Sequence, residues 1–229
     1  MTPDKTDEPA AKARPLIAID GPAGSGKSTI ARAVAERLGR ERLDTGAMYR
    51  AVTLLALRTG VDPANADQVA RLAGDMSLEV GDTVILNGED VTSEIRTAQV
   101  DSAVSQASAH PGVRAQLVRR QREWGVGHEG GVVEGRDIGT VVFPDSDLKI
   151  YLTADPVERA RRRSDQVKAS GAVDAVPVAE SVVVAELARR DRFDSSRATS
   201  PLQIAEDAIV VDSTKMSVDE VVEEVLSHL

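Results

Sequence analysis

The residues Gly21-Pro22-Ala23-Gly24-Ser25-Gly26-Lys27-Ser28 match the pattern GxxxxGK(S/T), and they stand where that pattern has structural meaning, after the apolar run from Leu16 to Ile19 and at the start of a helical repeat. Glycine backbone can wrap closely around phosphate oxygens while successive amide hydrogens point inward, and the helix N-terminus adds a favourable field. Lys27 would bring a positive charge to the β and γ phosphates. The Ser28 hydroxyl is placed to meet Mg²⁺, with Thr29 as a supporting residue. Ile30, Val34 and Leu38 recur every fourth residue behind this turn, and Gly39 can close the helix in a left-handed conformation. The motif points to ATP or GTP and leaves kinase, ATPase, GTPase and motor functions open.

The rest of the chain continues the strand and helix progression. Short apolar runs at Leu16, Arg42, Gly131, Leu148 and Ala208 predict five mostly parallel strands with helices on both faces, an α/β architecture that puts ligands at the carboxyl ends of the strands. Helices are expected over "AMYRAVTLLALRTG", ending at Gly60, over roughly Val113 to Trp124, from Pro156 through "ERARRRS", over "VAESVVVAELARRDRFD" and over "SVDEVVEEVLSHL", where Ser217 and Glu220 fit a capping box. Between Pro63 and about Ala109 the progression is interrupted by a helix in "ANADQVARLAGDM" and by two extended runs around Asn87-Gly88, a strong hairpin signal. This segment reads as an insertion. "GRDIG" is expected to be a glycine-bounded polar loop, and Ala169 to Val176 a small-residue break.

Bulk properties narrow the classes. A chain of 229 residues can bury about 70% of its unfolded surface, so no staple is needed. With no cysteine there is no disulfide, thiolate zinc site or cysteine nucleophile, in agreement with a reducing cytoplasm, and His110, His128 and His228 are too few for a polyhistidine centre. A net charge of -9 argues against a general nucleic-acid coat, and just five aromatic residues (Tyr49, Trp124, Phe143, Tyr151 and Phe193) offer no extended stacking platform. No run of about 20 apolar residues is present, which excludes a membrane-spanning helix. Residues 1–15 are polar and charged and read as a loose tail, not a signal peptide.

Taken with the phosphate loop, "LDTGAMYR" (Leu43 to Arg50), "VEGRDIGTVVFPD" and "RRDRFDSSRATSPL" resemble the bacterial cytidylate kinase family, within the P-loop nucleoside monophosphate kinases, from about Leu16 to the C-terminus. The resemblance implies a P-loop NTPase fold and transfer of the γ-phosphoryl group of ATP to CMP or dCMP by a cytoplasmic, Mg²⁺-dependent monomer. It implies a core (16–62, 110–160 and 193–229), a monophosphate-binding insertion (63–109) and a lid (161–192). Residues 21–29 would hold ATP. Thr45, Tyr49 and Arg50 would surround the acceptor, Thr45 standing where relatives often carry serine. Ser105, Arg114 and Asp137 would read cytosine, with Asp137 facing the exocyclic amine.

By the same resemblance Arg136, Arg190 and Arg197 would meet the acceptor phosphate, and Asp194 would accept from the sugar hydroxyls. Lys27, Arg136, Arg190 and Arg197 would carry the catalytic charge. Relatives often carry a more charged segment where Phe193, Ser195 and Ser196 stand here. An aspartate facing the base favours C over U, since uracil presents a carbonyl there, and each such contact is worth about 1 to 3 kcal/mol. Which of Arg159, Arg161, Arg162 and Arg163 reaches ATP stays open, because ion pairs with Glu158 and Asp165 also account for the run. Two readings stay open for the nearby acids: Asp44 organising a water at Mg²⁺, and Asp20 buried as a brace for the phosphate loop. The rival functions are a kinase for another small acceptor and a nucleotide-dependent switch.

Overall fold

A computed structural model describes residues 15–169 and 179–229. The expected tail, apart from Pro15, and the break after Ala169 lie outside the described residues. The central sheet contains β1 (Leu16–Asp20), β2 (Arg42–Asp44), β6 (Gly131–Glu134), β7 (Leu148–Thr153) and β8 (Ile209–Asp212), in the order β2-β6-β1-β7-β8 with every neighbour parallel. These are the five strands that the apolar runs predict. β1 is paired on both edges by β6 and β7 and covered on both faces by helices, so Ile17, Ala18 and Ile19 have no exposed surface.

Side-chain alternation along β1 divides the core in two. Ile17 and Ile19 pack on one face with Ile30 and Val34 of α1 (Lys27–Leu38) and Val221 of α8 (Val218–Leu226). Ala18 points to the other face with Leu43, Val52 of α2 (Thr45–Arg58) and Leu117 of α5 (Pro111–Gly127). The capping box expected at the start of α8 is present: Ser217 Oγ accepts from the Glu220 amide, and the Glu220 carboxylate accepts from the Ser217 amide.

Between α2 and α5 the chain forms α3 (Ala66–Asp75), the strands β3 (Leu78–Val80), β4 (Val84–Leu86) and β5 (Glu89–Asp90), a short 3₁₀ turn at Glu94–Arg96 and α4 (Ala98–Ala109). Asn87 and Gly88 join β4 to β5 with φ of 50° and 84°, the left-handed pair that a tight hairpin needs. The edge strand β3 and helix α4 were not among the sequence expectations. α4 begins at Thr97 without a side-chain cap and buries only Val100, Val104, Ala107 and Ser108, a narrow stripe among alanine and serine. The expected polar loop after Asp137 closes into a π-helical turn, Ile138–Val142, because the Asp137 carbonyl accepts from the amides of both Val141 and Val142. Two further helices, α6 (Pro156–Ala169) and α7 (Glu180–Ser195), follow β7 and pack together above the carboxyl edge of the sheet.

Candidate active site

The strand ends set the chemistry of that edge. Parallel register puts Glu134 of β6 beside Ile19 on one side and Asp44 of β2 on the other, while Asp20 is level with Tyr151 of β7. Four elements therefore deliver acidic or hydroxyl groups to the rim where the phosphate loop leaves β1. Asp20 is buried and accepts from the backbone amides of Ile138 and Gly139, each at 2.8 Å. It is a brace, and what it braces is the turn after Asp137, not the phosphate loop. Burial outweighs those two hydrogen bonds and raises its carboxyl to about 6. Asp44 caps α2 by accepting from the Ala47 amide at 3.0 Å and lines the open cleft.

In the phosphate loop, Gly21, Gly24 and Gly26 adopt φ of 150°, 76° and 93°. At Gly21 a Cβ would stand 2.0 Å from the Leu152 carbonyl oxygen, so both conformation and space require glycine there. Lys27 opens α1, and its Nζ bends back to donate to the Pro22 carbonyl at 2.7 Å. Burial, and then the positive charge of Arg136, press its ammonium well below the ordinary lysine value against the opposing pull of Glu134, Asp20 and Asp191. A group this desolvated and repelled gains strongly from any anion brought to the loop.

The arginine run of α6 separates into distinct jobs. Arg159 donates from Nη1 to the Ala23 carbonyl at 2.9 Å and to Asp191 of α7 at 2.5 Å, while Asp191 accepts from the Ala23 amide at 3.0 Å. Arg162 donates to the Ser25 carbonyl at 3.1 Å and to Ser213 Oγ at 2.8 Å. These two bind the back of the phosphate loop. Arg161 is exposed and paired with Glu158 and Asp165, whereas Arg163 turns to Asp101 of α4.

Ser28 donates to Glu134 Oε2 at 2.7 Å, and Arg42 donates to Glu134 Oε1 at 3.1 Å. Glu134 is buried, and burial together with nearby Asp44 lifts its carboxyl to about 7. The sequence expectations did not include it. The available signal was its position as the last residue of an apolar strand directly before "GRDIG". Thr45 donates to the Glu134 carbonyl at 2.6 Å, so its hydroxyl fixes β6 to α2 and does not face the cleft.

The open cleft, about 560 Å³, is lined by Lys27, Ser28 and Thr29 on one side and by Arg50, Arg136 and Arg190 on the other. Arg50 donates to the Ile95 carbonyl at 3.0 Å and to Asp101 at 2.5 Å. Arg136 donates to the Gly21 carbonyl at 3.0 Å and to Asp194 at 3.1 Å, which ties the phosphate loop to α7. Burial and the neighbouring guanidinium groups of Arg136 and Arg50 lower Arg190 to about 10.

The remaining expected residues stand behind this cleft. Arg197 donates from Nε to the Asp194 carbonyl at 3.1 Å and is buried against that residue, so it is one layer removed from the open space. Arg114 of α5 and Asp137 form a buried ion pair, and the Arg114 guanidinium lies 5.2 Å from the Tyr49 ring centre. Burial raises the Tyr49 hydroxyl to about 12. Ser105 is half-buried on α4, where its carbonyl accepts from Ser108 Oγ at 3.1 Å. Among the described residues, no group of three or more His, Cys, Asp or Glu side chains is arranged to hold a metal by itself, and no helix is long and apolar enough to cross a membrane.

Comparison with known proteins covers almost the whole chain. The family model described as cytidylate kinase matches residues 17–229. A cytidylate kinase of Mycobacterium leprae is 52% identical over 208 residues, covering 90% of this chain and 92% of that protein. One from Pseudomonas aeruginosa is 47% identical over 221 residues, covering 93% and 94%. In fold alone, the crystal structure of an uncharacterized protein from Eubacterium ventriosum is similar, with a TM-score of 0.51 at 12% identity over 94% of this chain and 98% of that one. A phosphate loop facing an arginine-lined cleft, in a chain matched from β1 to its last residue, makes this protein a member of the cytidylate kinase family.

Proposed function

We propose that the protein transfers the γ-phosphoryl group of ATP to CMP or dCMP, giving CDP or dCDP and ADP. The observation that carries this reading is the shared cleft in which Lys27 and Ser28 face Arg50, Arg136 and Arg190. A phosphoryl donor and a second anion need such an arrangement, because two polyanions must approach while fixed positive charge offsets their repulsion. The γ-phosphorus to oxygen bond of ATP breaks as a phosphate oxygen of the acceptor bonds to that phosphorus, and ADP keeps the electron pair. With both nucleotides fully ionised no proton has to be removed, so no general base is required.

Each residue has a role in this reading. Residues 21–29 hold the ATP phosphates, and Lys27 neutralises charge at the transferring group. Arg50, Arg136 and Arg190 hold the acceptor phosphate, while Arg197 supports them through Asp194, which accepts from the sugar. Tyr49 and Thr45 shape the acceptor side. Asp137 and Arg114 together present an acceptor and a donor, the complement of the cytosine amine and its adjacent ring acceptor, and Ser105 adds a hydroxyl.

Mg²⁺ fits the donor set. Ser28 and Glu134 offer a hydroxyl and a carboxylate oxygen in contact, the hard oxygen ligands that Mg²⁺ takes together with nucleotide phosphates. Held there, the ion would offset negative charge on the transferring phosphoryl oxygens. The helices α6 and α7 and the segment 63–109 would close over both nucleotides and exclude water. The protein would act as a monomer in the cytoplasm.

A coupled assay of ATP against CMP, dCMP, UMP, AMP, GMP and shikimate tests the reading. Strong turnover with CMP or dCMP and slow ATP hydrolysis without acceptor are expected. Preference for another acceptor would move the protein to a neighbouring kinase activity, and no product with any of them would restore the nucleotide-switch reading.

A further inference from the structure

Asp101 of α4 is a carboxylate set among the arginines of the cleft. Arg50 donates to its Oδ1 at 2.5 Å, Arg163 donates to its Oδ2, and Arg190 Nη1 stands 3.8 Å from Oδ1. These partners come from α2, α6 and α7, so one side chain joins the core to both helices above the sheet edge. Asp101 is only 15% exposed and its three partners 12%, 24% and 23%, so the contacts are largely desolvated and none is a loose surface pair.

Neither the sheet nor the packing of α4 requires an acid at this place. α4 is fixed by Val100, Val104 and Ala107, and Asp101 lies off that stripe. What the position does require is a negative charge, since Arg50, Arg136 and Arg190 share one cleft and repel one another. A carboxylate meets this need with one charge and two oxygens. A phosphate monoester brings up to two charges and three oxygens to the same donors.

On the reading that this cleft takes the acceptor phosphate, we infer that Asp101 is a resident counter-anion of that site, holding Arg50, Arg163 and Arg190 until the acceptor phosphate takes over their contacts. Asp101 thereby lowers the affinity of the cleft for anions in general and restricts it to ligands carrying more charge than a carboxylate. Exchange of one anion for the other also frees α4 from α6 and α7, so acceptor binding and movement of these helices become one event.

The test is titration of inorganic phosphate into the full chain with saturating Mg²⁺-ADP, which occupies the phosphate loop and leaves the acceptor side as the place where phosphate is counted. Asp101→Asn and Asp101→Ala should bind phosphate about tenfold more tightly than wild type, the scale of one charge-assisted contact no longer competed for. Asp101→Glu, which keeps the charge, should remain close to wild type. Both neutral variants should unfold at lower temperature without phosphate and recover most of the difference with it. Asp101→Ser replaces Asp101→Asn if the latter is too unstable to titrate.

Folded neutral variants with unchanged or weaker phosphate binding would overturn the inference and make Asp101 a positioning residue for the arginines. Arg50→Gln in the same titration separates this failure from failure of the underlying reading. If Arg50→Gln weakens phosphate binding while the neutral Asp101 variants do not tighten it, only the counter-anion role falls. If Arg50→Gln has no effect, the cleft is not the acceptor-phosphate site and both fall.

Discussion

Ser28 donates its hydroxyl hydrogen to Glu134 Oε2 at 2.7 Å, which ties the phosphate loop to the carboxyl end of the neighbouring strand β6. That contact has a pH signature. Burial holds the Glu134 carboxyl at about 7 in the fold against 4.5 in an unfolded chain, so between these values the folded state keeps a proton that the unfolded state has released. Stability from this group is therefore lost as pH rises through that window, and little further is lost above pH 7. Glu134→Gln should remove the slope. Urea unfolding of the nucleotide-free protein from pH 5 to pH 8 should show wild type losing stability relative to the variant as pH rises. The same variant should bind Mg²⁺-ATP more weakly.

Lys27 should behave in a related way with the opposite charge. Its ammonium is desolvated and repelled by Arg136, so at neutral pH it is strained in the nucleotide-free protein. Lys27→Met should raise the thermal midpoint of that form, while kcat falls by roughly 10² to 10³, the scale of losing one fixed charge from a preorganised site. The ratio of CMP to UMP turnover should not change. A variant that is both less stable and less active would contradict this assignment.

Arg162 reaches Ser25 and Ser213 on the donor side, away from Arg50 and Asp101. Arg162→Ala should raise the KM for ATP about tenfold, in keeping with loss of a charged hydrogen-bond donor, and leave the KM for CMP nearly unaltered. Steady-state kinetics with each substrate varied in turn reads the difference.

Asp137 and Arg114 form a buried pair, so removing one charge strands the other. Asp137→Ala should cost about 3 to 5 kcal/mol of stability, measured by denaturant unfolding. Asp137→Asn keeps the shape and should fold, yet lower the CMP to UMP ratio of kcat/KM about tenfold or more. An unchanged ratio would remove Asp137 from base recognition.

Much of the fold was legible because its signals are local. The phosphate loop, the Asn87-Gly88 hairpin and the Ser217 to Glu220 capping box each depend on residues within a few positions of one another. The apolar runs marked the central strands β1 and β6 most clearly, because a parallel strand covered on both faces has to be largely apolar, whereas the edge strands β2 and β8 carry only Leu43 and Val211 as buried residues. β3 and α4 were not legible, since β3 has no fully buried residue and no Asn-Gly turn beside it, and α4 carries a narrow buried stripe without a cap. The site was legible by residue type and not by direction. Arg159, Arg161, Arg162 and Arg163 follow one another on one helix, and only packing decides which meet the phosphate loop, which meets Asp101 and which meets solvent. Glu134 becomes a partner of Ser28 through strand order, which no local pattern records.

Transfer itself is tested most directly by following ATP labelled at the γ-phosphorus while the protein, Mg²⁺ and CMP are present together. The label should appear in the β-phosphate of CDP, one CDP for each ADP formed. Label recovered only as inorganic phosphate, or retained in ATP at every CMP concentration, would contradict direct transfer of the phosphoryl group from ATP at the Lys27 loop to an anion held by Arg50, Arg136 and Arg190.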